Sequence, residues 1–285
     1  MPIVIENLSY IYMQGTPFEK IALKEIDLTI SDGEFTGVIG HTGSGKSTLI
    51  QHFNGLLKPT SGRVLINGVD TTGKNLKELR QHVGIVFQYP EHQLFDETVY
   101  KDIAFGLYRR KMPEEQVRSE IMQVIGAVGI DADILEKSPF ELSGGQKRRV
   151  AIAGVLVMKP EILILDEPTA GLDPKGRDEI FSFISEIHRS MGITIILVSH
   201  SMEDIARLVK RVIVMNKSRI EVDGTVAEVF ADIQRLEGIG LSAPQVAYLM
   251  KGLKGLLPDL DDRAYTVAAA RDELIKHLKG RVHEL

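Results

Sequence analysis

Residues 40 to 47 read Gly40-His41-Thr42-Gly43-Ser44-Gly45-Lys46-Ser47 and match the pattern G-x-x-x-x-G-K-[ST] at every fixed position. An apolar run leads into this stretch, and a segment with helical character follows from Thr48. Because glycine lacks a Cβ, the backbone N–H groups of such a loop can approach a phosphate closely, and the helix start favours an anion. Lys46 adds charge for the terminal phosphates, and the Ser47 hydroxyl suits Mg²⁺. We expect residues 40–48 to bind a nucleoside triphosphate.

The composition is that of an ordinary globular protein without a basic field. Hydrophobic residues make up 44% of the 285 residues, and the formal net charge of −5 gives no general attraction for nucleic acid. The absence of cysteine excludes disulfides, thiol catalysis and thiolate metal sites. The longest apolar runs, such as Val150 to Met158, are shorter than the ~20 residues of a membrane helix. We therefore expect any role at a membrane to depend on a partner.

Polar residues follow three apolar strands. Asp166 and Glu167 come directly after Ile162-Leu163-Ile164-Leu165, a run typical of a central parallel strand. Ligands bind at the carboxyl ends of such strands, so Asp166 suits the Mg²⁺ shell and Glu167 suits orienting or deprotonating water. Gln88 can offer its amide oxygen to Mg²⁺ or water, and His200 can donate to the terminal phosphate. Taken singly, a loop glutamine and a lone histidine are more often solvated or structural.

A second helix start with open amides occurs at Ser143-Gly144-Gly145-Gln146. Ser143 can cap the helix that follows, and the paired glycines leave its first N–H groups accessible to a phosphate. Since residues 40–48 already supply one anion site, a second one needs its own explanation. Tyr12 lies in the first polar connection of a β-rich start, where its ring could stack on an adenine. A position on the sheet surface is an equally good interpretation of Tyr12.

The remaining segments set the domain organisation. Apolar spacing becomes helical from Glu97 to about Gly129, which predicts a helical insert between core strands. Residues 231–285 contain two amphipathic segments, one from Pro244 and one near Val267, which suit association or a cap on the core. The stretch Asn216-Lys217-Ser218 resembles the guanine-reading N-K-x-D element, but arginine replaces its aspartate, so we reject a GTPase.

Together these residues resemble the ATP-binding-cassette (ABC) ATPases over residues 1 to about 230. Six motifs occur in the family's order: Gly40–Ser47 resembles Walker A, Gln88 the Q-loop, Leu142–Gln146 the signature, Ile162–Glu167 Walker B, Leu172-Asp173 the D-loop and His200 the switch histidine. The resemblance implies an α/β fold, the P-loop NTPase fold of ABC ATPases, with an antiparallel β subdomain and a helical subdomain at about 89–156. It also implies that Tyr12 stacks on adenine.

Several longer stretches of the sequence resemble the ATPases of energy-coupling factor (ECF) transporters, which power uptake of vitamins and transition metals. The stretches are Gln88-Tyr89-Pro90-Glu91-His92-Gln93-Leu94-Phe95, Ser138 to Gln146 and Pro168 to Pro174. The start, with Gly15-Thr16-Pro17-Phe18-Glu19, is most similar to the second of the two ATPase subunits, and residues 231–285 resemble that family's dimerisation domain. Leu107-Tyr108-Arg109-Arg110 departs from the expected Pro-Lys-Asn-type stretch, which bears on the fit of the membrane partner.

The resemblance implies an ATPase of the translocase type, which binds ATP and Mg²⁺ at the cytoplasmic face of the cell membrane as a peripheral protein. Its implied partners are a second ATPase subunit (heterodimer or homodimer), a transmembrane coupling protein and a substrate-binding membrane subunit, without nucleic acid. Each ATP would lie between Walker A of one chain and Ser143–Gln146 of the other, with Asp173 coupling the two sites. The sequence does not specify the transported substrate.

Three alternatives stand beside this interpretation. One is the ATPase subunit of another ABC importer or exporter. Another is an ABC ATPase of DNA repair, but the interval from Ser47 to Ser143 cannot hold the long coiled coil of that class. The third is a translation-type ABC protein, which carries two cassettes per chain, whereas this sequence has one P-loop.

Overall fold

The computed structural model describes residues 2–73 and 76–282, so the last three residues of the predicted segment 231–285 lie outside the described residues. The chain divides into two compact units, each discontinuous in sequence. The first unit comprises residues 1–34 and 47–198, and the second comprises residues 35–46 and 199–285. The chain passes from the second unit to the first inside the P-loop motif.

The elements follow one another in mixed α/β order. The strands are β1 (Ile3–Tyr12), β2 (Lys20–Ile30), β3 (Phe35–Ile39), β4 (Ser61–Ile66), β5 (Val69–Asp70), β6 (Val83–Val86), β7 (Ile162–Asp166), β8 (Thr194–Val198), β9 (Arg211–Asn216) and β10 (Arg219–Thr225). The helices are α1 (Lys46–Phe53), α2 (Leu76–His82), α3 (Val99–Arg109), α4 (Glu114–Ala127), α5 (Gly144–Leu156), α6 (Pro174–Met191), α7 (Met202–Leu208), α8 (Val226–Ala231), α9 (Ile233–Gly238), α10 (Gln245–Lys254) and α11 (Val267–Val282). Short 3₁₀ turns occupy Pro90–Gln93, Ala132–Ile134 and Pro139–Glu141.

The first unit contains an antiparallel sheet in the order β2-β1-β4-β5. Register shifts around Ile5, Leu8 and Tyr10 interrupt the alternation of apolar residues along its strand β1, which runs from Ile3 to Tyr12. The predicted polar connection at Tyr12 is therefore wrong, since Tyr12 is the last residue of β1 and pairs with Lys20.

Three parallel strands, β6, β7 and β8, form the buried sheet of this unit. They pair in an unbroken register, with Val86 opposite Leu165 and Leu165 opposite Leu197. Every residue of β7 and β8 is buried, which agrees with the continuous apolar runs predicted to lie inside a parallel sheet. Because the strands run in one direction, their carboxyl ends meet at one edge.

Helices α3, α4 and α5 occupy the region between β6 and β7, and α3 and α4 confirm the helical spacing from Glu97 to Gly129. The Thr98 side chain caps α3 by accepting from the Lys101 amide, and α4 begins directly after Pro113. The apolar stripes bury Ile103 and Leu107 on α3 and Val117, Ile121 and Ile125 on α4.

In the second unit β9 pairs in parallel with β3 and in antiparallel with β10. Helices α10 and α11 occur where the amphipathic segments predicted them, and a small apolar cluster joins them. Its buried members are Val246, Met250, Leu260, Ala264 and Ala270. Across the described part of the chain, no helix combines the length and apolarity required to cross a bilayer.

Substitution of two glycines in the antiparallel sheet separates the cost of backbone strain from the cost of a steric clash. Gly62 and Gly68 both have a φ of +77°, but a Cβ at Gly62 would lie 2.1 Å from the Asn7 carbonyl oxygen, whereas a Cβ at Gly68 meets nothing within 4 Å. We expect Gly68→Ala to lower the free energy of unfolding by about 1 kcal/mol, the cost of a left-handed alanine. Gly62→Ala should lower it clearly more, because backbone atoms cannot move aside. Denaturant unfolding of both variants measures this, and equal losses would contradict the predicted clash.

Candidate functional site

The glycine loop of the second unit is folded around the Lys46 ammonium group. Lys46 is buried, and its Nζ donates to the Gly40 carbonyl at 2.7 Å and the His41 carbonyl at 3.1 Å. Gly40, Gly43 and Gly45 have positive φ values of 154°, 82° and 109°. These backbone conformations are ones that other residues rarely adopt, which explains the three fixed glycines.

The shape of this loop fits a bound phosphate. A Cβ at Gly40 would lie 2.4 Å from the Met215 carbonyl oxygen and 2.6 Å from Ser44 Oγ, so glycine is required there. Ser44 is fully buried, and its Oγ makes no hydrogen bond to the described residues, an orphaned polar group of the kind that a bound ion or water accounts for. The loop is also held from behind, because the Ser218 amide donates to the Ser44 carbonyl at 3.1 Å.

In the first unit Ser47 and Thr48 continue the motif along α1. Ser47 is exposed, so its hydroxyl is available to a ligand. Thr48 is buried, and its Oγ1 lies 3.3 Å from the Tyr12 hydroxyl. The structure thus brings Tyr12 to the helix that follows the phosphate loop, although Tyr12 is 36 residues away in the chain.

Tyr12 is supported by two further aromatic residues that sequence reasoning did not assign. Its ring meets Tyr10 edge-to-face at a centroid distance of 4.8 Å, and Tyr10 meets His52 of α1 at 4.9 Å. His52 Nδ1 donates to the Thr48 carbonyl at 2.7 Å, and burial lowers the pKa of His52 below its ordinary 6.5, so the ring is neutral at pH 7. With 37% of Tyr12 exposed, its ring remains open to stacking.

The carboxyl ends of β6 and β7 bring Gln88, Asp166 and Glu167 to one edge of the parallel sheet. Asp166 is the last residue of β7 and is buried, whereas Gln88 follows β6 by two residues and is exposed. Glu167 has a left-handed φ of 51°, and its amide donates to the Val198 carbonyl at 3.0 Å. Strained conformations of this kind are concentrated at functional sites.

His200 lies in the second unit, near the end of the strand that precedes the phosphate loop. The amide of Ser199 donates to the Val38 carbonyl of β3 at 3.4 Å, two residues before Gly40. His200 itself is exposed. The structure therefore places the predicted histidine beside the end of β3.

The predicted cap of α5 is confirmed as a reciprocal capping box. Ser143 Oγ accepts from the Gln146 amide at 3.3 Å, and Gln146 Oε1 accepts from the Ser143 amide at 3.0 Å. A Cβ at Gly144 or Gly145 would meet no described atom within 4 Å, so the helix start is open on that side. The two capping side chains hold the helix start in shape and leave the glycine amides facing outward.

Asp173 has a local structural role that the sequence did not indicate. Its Oδ1 accepts from the Gly176 amide at 3.0 Å and caps α6, which begins at Pro174. The helix therefore starts at Pro174, directly after this cap. Proline at the first helical position and aspartate at the cap are the signals that could have located this start.

The most buried charged side chain of the site region was also missed. Arg148 on α5 is 1% exposed and pairs with Glu91, with the shortest contact at 2.7 Å. Neither residue type nor spacing links positions 57 apart in sequence, so only the fold reveals the pair.

The phosphate loop of the second unit can bind a phosphate chain. In the first unit Ser47, Gln88 and Asp166 offer hydroxyl, amide and carboxylate oxygens to a divalent cation, and Glu167 presents a carboxylate to water. Hydroxyl and carboxylate oxygens are the ligands that Mg²⁺ prefers. Glu167 and Asp166 differ in exposure, Asp166 being the more buried, which suits different roles for the two carboxylates.

Comparisons with known proteins identify the family of this chain. The family model for ABC transporters matches residues 23–170. The energy-coupling factor transporter ATP-binding protein EcfA2 of Acetivibrio thermocellus is 61% identical over 279 residues, which cover 98% of this chain and 99% of that protein.

Solved structures of similar fold include two ABC cassettes. CbiO1 from Clostridium perfringens, described as part of the ABC transporter complex cbiONQ, is 43% identical with a TM-score of 0.75 and covers 87% of this chain and 98% of its own. The ATP-binding cassette MJ0796, in a dimeric post-hydrolysis state with ADP and Pi, is 29% identical with a TM-score of 0.70 and covers 79% of this chain and 98% of its own. The chain therefore belongs to the ABC transporter ATPases and, within them, to the ATP-binding proteins of energy-coupling factor transporters.

Proposed function

We propose that this chain is the ATP-hydrolysing subunit of an ECF-type importer and drives uptake of a vitamin or a transition metal through membrane partners. The observation that carries the proposal is the pairing, in one chain, of a phosphate loop closed on Lys46 with a second open helix start at Gly144 and Gly145. A triphosphate needs donors on more than one side, and these two sites can supply them from two chains.

Within one cassette, Lys46 and the amides of residues 40–48 bind the phosphates, and the exposed ring of Tyr12 stacks on the adenine. Glu167 accepts a proton from the attacking water, and its fixed backbone conformation aims the carboxylate. His200 donates a hydrogen bond to the terminal phosphate and senses its presence.

Mg²⁺, when bound, neutralises charge on the phosphate oxygens. The Ser47 hydroxyl, the Gln88 amide oxygen and the Asp166 carboxylate are the groups that would hold it. The buried Ser44 Oγ, which makes no hydrogen bond to the described residues, supports the presence of a phosphate in the loop that contains Ser44.

We infer that two cassettes pair head to tail, with Ser143–Gln146 of one chain facing the phosphate loop of the other. The partner is a second ATPase subunit or a second copy of this chain. Asp173, which caps α6, stands next to the exposed stretch at Gly171 and would couple the two sites across the interface. The helical segment 231–285 adds to this association through apolar side chains that it exposes, including Leu249, Val267 and Leu278.

The transmembrane coupling protein would bind near Gln88 to Glu97, at the cytoplasmic face of the membrane. This stretch and α3 expose an aromatic pair, Phe95 and Phe105, which meet edge-to-face at 5.1 Å. Arg109 lies over the Phe105 ring at 5.5 Å. Exposed aromatic and arginine side chains are enriched in protein interfaces, which supports a partner at this place.

Purification of the tagged chain from membranes tests the proposal as a whole. We expect a transmembrane coupling protein, a substrate-binding membrane subunit and a second ATPase or second copy to accompany it, identified by mass spectrometry. Companions typical of an exporter, or a soluble substrate-binding protein with a permease pair, would replace the ECF assignment by that of another ABC transporter.

Removing the carboxylate that activates water should separate binding from hydrolysis. In the purified complex, Glu167→Gln should retain ATP affinity and lose hydrolysis by about 10²-fold or more, because the general base is gone while the phosphate loop is intact. Glu161→Gln is the matched control, since Glu161 pairs with His82 and lies just before the opposite end of β7. Near-normal turnover of the Glu167 variant would remove that residue from the base role.

A further inference from the structure

The fifth residue of the signature helix α5, Arg148, is a charged side chain inside the first unit. Its side chain is 1% exposed. Among the described residues it is the largest of the fully buried side chains. A guanidinium cannot lose its charge in a protein, so its burial requires partners for its N–H groups.

Those partners come from two other segments. Nε and Nη2 form a forked contact with Glu91, at 3.1 Å and 2.9 Å to Oε2 and 2.7 Å to Oε1. Nη1 donates to the Ala170 carbonyl at 2.8 Å. A fork of this kind fixes the relative orientation of the two side chains as well as their distance.

Glu91 belongs to the 3₁₀ turn Pro90–Gln93, which follows Gln88 after a single left-handed residue, Tyr89, with a φ of 54°. Pro90 is buried, so packing holds the first residue of the turn while the fork to Arg148 holds the second, Glu91. Fixing Glu91 therefore fixes the backbone path that leads to the Gln88 side chain.

Ala170 belongs to the turn that follows Glu167, since the Ala170 amide donates to the Glu167 carbonyl at 3.1 Å. This turn leads into the cap of α6 at Asp173. The same two segments also lie close together, because a Cβ built at Gly171 would be 3.6 Å from the Tyr89 ring. One guanidinium thus joins the signature helix to the segments that carry Gln88 and Glu167.

We propose that Arg148 is a positioning residue for ATP hydrolysis: its fork to Glu91 and its bond to Ala170 hold Gln88 and Glu167 in fixed positions relative to the signature helix. Displacement of α5 or of the Pro90–Gln93 turn by a partner then changes the positions of the hydrolytic groups. The inference rests on the proposed roles of Gln88 and Glu167.

The neighbouring residue provides a matched control. Arg149 lies on the same helix and pairs with Glu179 while donating to the Gly129 carbonyl at 3.1 Å, but among the described residues it contacts neither the Gln88 segment nor the Glu167 segment. Lysine keeps the charge and removes the fork, so Arg148→Lys and Arg149→Lys alter the two positions equally in chemistry.

The test measures ATP hydrolysis by the complex purified from membranes. We expect Arg148→Lys and Glu91→Gln each to lower kcat about tenfold to hundredfold with the KM for ATP within about twofold of the original, because catalytic groups are misplaced while the phosphate loop is untouched. The double variant should lose no more than either single one, because both remove the same contact. Arg149→Lys should keep kcat within about twofold.

A pair of apolar residues, Glu91→Leu with Arg148→Met, covers the case in which the single variants do not fold, since such a pair leaves no unpaired buried charge. A folded Glu91→Leu/Arg148→Met variant with the original kcat overturns the proposal. The proposal is also overturned if Arg148→Lys or Glu91→Gln raises KM and lowers kcat together. The variant Gln88→Ala distinguishes failure of the proposed role of Gln88 from failure of the proposed role of Arg148. If it keeps full turnover, the proposed role of Gln88 fails. If it loses turnover while Glu91→Gln does not, the positioning role of Arg148 fails.

Discussion

The parallel pairing of β6, β7 and β8 is the constraint on which the hydrolytic half of this protein depends. Because the three strands pair without a register shift, their carboxyl ends lie at one edge, and the chain must leave the sheet there. Gln88 and the pair Asp166-Glu167 stand at those exits. Glu167 takes a left-handed conformation that costs about 1–3 kcal/mol, and its backbone bond to Val198 on the adjacent strand helps to hold it.

A second constraint is the burial of charge. Lys46 in the phosphate loop is satisfied by two backbone carbonyls, which a phosphate chain can replace as the partner of the ammonium group. Arg148 is satisfied by Glu91 and Ala170, partners that belong to the folded chain itself. The first group is thus poised to exchange partners on binding, whereas the second ties segments together. Both groups are buried cations held by oxygen acceptors, but the acceptors of Lys46 can be replaced by a ligand and those of Arg148 are parts of the fold.

The sequence predicted the local features of the site well, because each depends on a few adjacent residues. The capping box at Ser143 and the buried strand before Asp166 follow directly from residue type and spacing. Features set by distant contacts were not predictable. The register shifts in β1 break the apolar alternation by which the strand that carries Tyr12 could have been recognised. The Tyr10–His52 contact joins residues 42 positions apart through packing that no motif encodes. The Arg148–Glu91 pair belongs to the same class, since it depends on the path of the chain in three dimensions.

The central claim is that one chain contains half of each ATP site. The most direct measurement is the specific ATPase activity of the purified protein over a dilution series, with the mass of the particles determined by mass photometry in the same samples. We predict that hydrolysis follows the fraction of particles with two cassettes and is absent from single chains. Single chains that hydrolyse ATP at the rate of the assembled protein would contradict the claim, because Ser143–Gln146 of a second chain would then be unnecessary.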